Sequence, residues 1–238
     1  MRSTCIHFKP LIDVDSVSGE IVAILVGDQT FYVHGTLLSR SSGFFQDALK
    51  PEWRTDLSKL IDLSDAKPEE FAKYSQWLYT QTVSIPDLNA TGWSIPLCRL
   101  YVLGERIMDA KFQDCVLGNL IDLYTTKKKK ISLEAIGTIY RGTLPSSPAR
   151  RLMAEFCAVQ IREGSDRLKS LKADSDGEFM LDLINAMAKY GRPMFKVADH
   201  PWNKDRQQYF MSEHQEDQAE KVEGVSEEAW NWGTHEVE

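Results

Sequence analysis

The period of the hydrophobic pattern changes early in the chain. Residues 20–34 carry an unbroken apolar run, Ile21 to Val26, then the turn signal Gly27-Asp28, then a second short strand, Phe31-Tyr32-Val33. Two apolar runs around such a turn predict a β-hairpin. Over residues 35–49 the spacing becomes helical, with Leu37, Leu38, Phe44, Phe45, Ala48 and Leu49 apolar and Pro51 as the stop. Lys59 to Leu63 reads as a third strand. Asp65 stands where it can cap a further helix, whose early turns hold Pro68, Glu69 and Glu70. That helix carries Phe71, Tyr74, Trp77, Leu78 and Tyr79, an apolar stripe for a core. Thr82 to Ile85 alternates like a short strand and ends at Pro86.

From there the pattern is helical throughout. Trp93 to Met108 carries Leu97, Leu100, Tyr101, Leu103, Ile107 and Met108, with Gly104 as the point where the helix splits or ends. Phe112 to Tyr124 places Phe112, Val116, Leu117, Leu120, Ile121 and Tyr124 on one face. A basic linker, Lys127 to Lys130, leads to three more helices at Leu133 to Tyr140, Ala149 to Ile161 and Glu178 to Tyr190. The last has the stripe Phe179, Met180, Leu183, Ile184 and Met187, and Gly191-Arg192-Pro193 closes it. Beyond about residue 198 the periodicity fades into Glu, Gln and Asp, a composition that predicts disorder. The expected organisation is a lead-in at 1–19, an α+β domain at 20–125, a helical region at 131–197 and an acidic tail at 198–238.

Charge refines this division. The chain carries −7 overall, and residues 212–238 hold nine acidic residues against one lysine. Taking that −8 from −7 leaves +1 on residues 1–211, so the acidity belongs to the tail. A near-neutral folded part lacks the clustered Lys and Arg that phosphate backbones require. Hydrophobic content of 42% and charged content of 26% are ordinary for a globular chain. No apolar run nears the roughly 20 residues that span a bilayer. The N-terminus has no continuous apolar segment of the secretory kind. Cys5, Cys98, Cys115 and Cys157 are far apart, and the last three fall in apolar helical patterns, where a free thiol behaves as a small hydrophobe. A reducing cytoplasmic or nuclear compartment is expected.

Candidate chemistry is sparse. His34 has no nucleophile or orienting carboxylate placed by motif, so it reads as a packing or capping residue where strand meets helix. His7, His34, His200, His214 and His235 are scattered and form no metal-ligand spacing. Nucleotide-binding glycine motifs are absent. No catalytic residue, cofactor, metal or small-molecule substrate is expected. Lys127 to Lys130 reads as a solvated linker, with a nuclear import signal as the alternative.

The ordered set of elements, Ile21 to about Ile85, resembles the BTB/POZ domain, in which a hairpin enters a helix through F-x-V-H followed by L-L and S-x-x-F. The matching residues are Phe31, Val33, His34, Leu37, Leu38, Ser39, Ser42 and Phe45. Ile61, Leu63 and Asp65 match the following strand, and Pro68, Phe71, Trp77, Leu78, Tyr79 and Thr80 the next helix. The variant is most like fungal members of the family. The resemblance implies a BTB/POZ-like small sheet flanked by helices, followed here by a helical extension and the acidic disordered tail. It implies a non-enzymatic module for homo- or hetero-dimerisation, pairing with itself or a related chain through helix 35–49 and the segment before Ile21.

On that reading the partner-interface candidates are Glu20, Leu37, Leu38, Phe44 and Trp53. Of Phe44 and Phe45, one is expected inward and the other at an interface. Some members of the family recruit a cullin-type ubiquitin ligase scaffold through a hydrophobic-x-Glu motif after the first helix. Here the place reads Trp53-Arg54-Thr55, and Thr55 in the acidic position weakens the adaptor reading. Gly35, where a basic residue is usual, weakens a charged dimer pocket. A nuclear, transcription-associated regulator using the lysine cluster and the tail is the further alternative. Trp230 and Trp232 sit in acidic sequence, either as a short docking motif or within a solubilising tail.

Overall fold

The computed structural model describes residues 19–50, 52, 60–84, 92–127, 131–161, 177–190 and 197–211. Strands β1 (Ile21–Val26) and β2 (Gln29–His34) form the expected antiparallel hairpin, with Val22 opposite Val33 and Ile24 opposite Phe31. Gly27 adopts φ +58° at the turn, a conformation that glycine reaches without a Cβ penalty. Strand β3 (Ile61–Leu63) adds in parallel to β1, giving the order β2-β1-β3. Alternate residues Val22, Ile24 and Val26 are buried on one face of β1.

The helix expected over 35–49 is two helices, α1 (Gly35–Ser41) and α2 (Gly43–Ala48). Ser42 between them has extended backbone, and its hydroxyl accepts from the Phe45 amide at 3.2 Å as the N-cap of α2. The S-x-x-F pattern is thus a cap followed by a core anchor, since Phe45 is fully buried. Helix α3 (Pro68–Thr80) starts with Pro68 in its first turn, and its cap position is Lys67. Asp65 instead pairs with Arg106. Gln81 ends α3 in a left-handed conformation, φ 53°. Thr82 to Ser84 is not a strand, because Thr82 is drawn back onto Thr80 through its amide and carbonyl. Ile85 lies outside the described residues.

Helices α4 (Ser94–Arg106) and α5 (Ala110–Lys127) form an antiparallel hairpin. Gly104 does not split α4. A Cβ there would meet Gln113 Cγ at 2.9 Å and Phe112 Cδ1 at 3.0 Å, so the glycine permits close approach of α5. Helix α6 (Leu133–Gly142) packs on α4 and on α7 (Pro148–Gln160), and α7 on α8 (Gly177–Tyr190). Phe45, Phe71, Tyr74, Trp77 and Phe112 form a ring-on-ring column with centroids 5.0–6.5 Å apart. Buried side chains run as one cluster from Val22 to Phe210.

Two expectations about the C-terminal half are corrected. Folded structure continues past residue 198. A 3₁₀ turn (Val197–Asp199), α9 (Pro201–Lys204) and a second 3₁₀ turn (Gln207–Tyr209) bring Trp202, Tyr209 and Phe210 into the core. Trp202 packs on Phe156 and Tyr124 at 4.6 and 5.3 Å. Arg206 donates to Asp122 and to the Gly118 carbonyl, and the Met211 amide donates to Asp114 at 2.7 Å. Such short turns have too few residues to show a period, which is why sequence reading passes over them. In α8, Phe179 and Leu183 are buried, but Ile184 and Met187 are exposed. Gly191-Arg192-Pro193 and Lys128 to Lys130 lie outside the described residues.

Trp202→Ala should therefore destabilise the protein by about 3–5 kcal/mol, the usual cost of emptying a buried aromatic site. Urea unfolding of the full chain measures this, and a loss under about 1 kcal/mol would contradict the packing of this segment.

Candidate functional site

Two serines at the break between α1 and α2 tie these helices to the turn that joins α4 to α5. Ser42 donates to the Ile107 carbonyl. The Gly43 and Phe44 amides donate to the Met108 and Ile107 carbonyls at 3.0 and 3.3 Å. Ser41 donates to the carboxylate of Asp109, which also accepts from the Tyr74 hydroxyl at 2.9 Å and the Phe112 amide at 2.9 Å. One fully buried carboxyl group thus joins α1, α3 and α5. Burial pushes its pKa up to about 6, against the lowering pull of the hydrogen bonds from Ser41, Phe112 and Tyr74. With no exposed surface, Asp109 is a structural group and offers no access to a substrate.

Above this anchored turn lies an apolar surface. Met108, expected in the buried stripe of α4, is 55% exposed and sits just past the helix end with φ 54°. Phe45 is buried, and Phe44 is half-buried and packs edge-to-face on it at 5.1 Å. Leu37 is half-buried on α1. Leu38, expected at a partner interface, is fully buried within the chain's own core and is unavailable there. Glu20 is exposed beside the start of β1, and its carbonyl accepts from the Gly35 amide at 2.8 Å. Trp53, Trp230 and Trp232 lie outside the described residues.

His34 is the residue preceding α1, and its Nδ1 lies 2.8 Å from the Tyr79 hydroxyl. The contact joins β2 to α3. Cys98 is buried, and burial pushes its thiol up to about 12, which leaves it unreactive. Among the described residues, no group of His, Cys, Asp and Glu could hold a metal ion, and no helix is long and apolar enough to cross a membrane.

The hairpin, the capped S-x-x-F break and the aromatic face of α3 follow one another in the order already noted in the sequence. Residues 22–93 match the BTB/POZ domain family. The match covers less than half of the chain. No curated protein matches the chain. BTB/POZ domains are protein–protein interaction modules, typically without enzymatic activity. The BTB/POZ match runs from the second residue of β1 through β2, α1, α2, β3 and α3, and ends just before α4. Asp109, which anchors the first two helices, lies outside it. Sequence reading missed Asp109 and Met108. An Asp directly before Ala110 is a readable N-cap signal for α5, but nothing local announces its burial or its reach to Ser41 and Tyr74.

Because its pKa in the folded state is raised, Asp109 contributes stability that is present below about pH 4 and lost as pH rises through about 6. Asp109→Asn, close in shape and uncharged, should lack this dependence. Relative to the variant, the native protein should lose about 2–3 kcal/mol between pH 4 and pH 7, read from paired denaturant titrations. Parallel stability curves across that range would contradict a buried, proton-binding carboxyl group.

Proposed function

We propose that this chain is a non-enzymatic interaction protein that pairs with itself or with a related chain through the surface of α1, α2 and the Met108 turn. The observation that carries this reading is an apolar surface on a rigid support. Phe44 and Met108 project where the backbones of α2 and the α4–α5 turn are hydrogen-bonded together, and Leu37 lies on the adjoining α1. Exposed Glu20, Arg40, Gln46 and Asp47 supply a polar rim. Binding follows the usual division of labour: apolar anchors lose water and the rim fixes register. A support already held by Ser42 and Asp109 lowers the ordering cost of association. A contact of about 1,600 Å² in total would be of normal size for such a pair, so the polar rim must supply most of it, the three apolar anchors covering only a few hundred Å².

Light scattering on the full chain over a concentration series tests this. Twice the 27.1 kDa chain mass is expected. The change Phe44→Asp with Leu37→Asp should return it to the single-chain mass with unchanged far-UV circular dichroism. A single-chain mass at every concentration would contradict self-pairing.

A further inference from the structure

Helix α8 is apolar on more of its circumference than the fold covers. Phe179, Leu183 and Ala186 face α7 and the core. Leu181, Ile184 and Ala188 recur at helical spacing on the opposite side and are exposed, with Met187 beside them. Leu181, Ile184 and Met187 are 60%, 59% and 43% exposed. Exposed apolar residues scattered singly need no explanation, but a contiguous stripe on a helix marks a contact surface. Its size favours a small occupant. Three or four half-exposed side chains make a patch of a few hundred Å² at most, short of the roughly 800 Å² per partner of a stable interface. A tethered segment needs far less, because a short flexible link supplies an effective concentration of about millimolar.

The chain carries such a segment. Gln208 lines the same cleft as Asp182, Asn185 and Ala186 of α8, so the chain passes α8 three residues before Met211. From Met211, Trp230 is nineteen residues on. Were those nineteen residues unstructured, they would span about 25 Å on average, enough to reach a neighbouring helix. Trp230 and Trp232 are two positions apart, a spacing that would put both on one side if the segment were bound extended. Their indoles offer about 150–250 Å² each, the scale of the stripe. We propose that the Trp230-Asn231-Trp232 segment docks on the outward face of α8 in the same chain. This is independent of pairing through α1 and α2.

Hydrogen exchange of α8 peptides, compared between the full chain and its Trp230→Ala/Trp232→Ala variant, tests the proposal. Exchange over residues 177–190 should quicken several-fold in the variant, by the same factor at every protein concentration. Equal exchange in the two proteins would overturn it. A difference that disappears on dilution would also overturn it, since the segment would then be seated on a second copy. As a reciprocal check, Ile184→Ser, at an exposed position, should raise acrylamide quenching of tryptophan emission in the native background only. An identical rise in the double variant would overturn the assignment, because the signal would come from other tryptophans.

Discussion

A carboxyl group removed from water holds the first half of this molecule in register. Asp109 receives hydrogen bonds from Ser41 on α1, Tyr74 on α3 and the Phe112 amide at the start of α5. An isolated carboxylate in an apolar interior is costly, and it is retained where its acceptors are satisfied. Here the satisfying donors come from three elements far apart in sequence. Moving any one of them would strand the others. The adjoining bonds from Ser42, Gly43 and Phe44 to the 107–108 carbonyls fix the α2 backbone to the same turn. The exposed position of Met108 and the half-exposed position of Phe44 are therefore consequences of what lies beneath them.

The second half of the chain is built onto α4 and α5. Glu105 on α4 accepts from the Leu144 amide and the Ser147 hydroxyl, which places the entry to α7. Buried Arg150 then donates to the Tyr140 and Thr143 carbonyls and pairs with Glu178 at the start of α8. Its bonds to the Tyr140 and Thr143 carbonyls fix how α6 and α7 meet, while the pair with the mostly exposed Glu178 adds little to the placing of α8. The returning segment with Trp202 and Tyr209 covers α5 and α7 in turn. The surface proposed for pairing and the outward face of α8 thus belong to one continuously packed body.

Much of this was legible in the sequence, for identifiable reasons. The hairpin followed from Gly27-Asp28 between apolar runs, and α3 and α5 from clean stripes of large residues. Ser42 and Phe45 were visible as a motif, although the break in the helix at Ser42 was not, since the apolar spacing runs smoothly across it. Periodicity also cannot say which arc of a helix will be covered, so Ile184 and Met187 looked like core and are not. Met108 likewise looked like the last turn of a buried stripe, yet its left-handed backbone turns it outward. Asp109 was hidden because burial of a charge depends on partners 35 and 68 residues away in the chain.

The most direct test of this account is a carboxyl-detected NMR titration of Asp109 in the full chain, followed together with the Phe112 amide. A midpoint near pH 6, with the Phe112 amide shifting in step, is the predicted result. A midpoint near 4, the ordinary value for a solvated aspartate, with the Phe112 amide unmoved, would mean that the group is not buried in this network and that something else holds α1 and α2 in place.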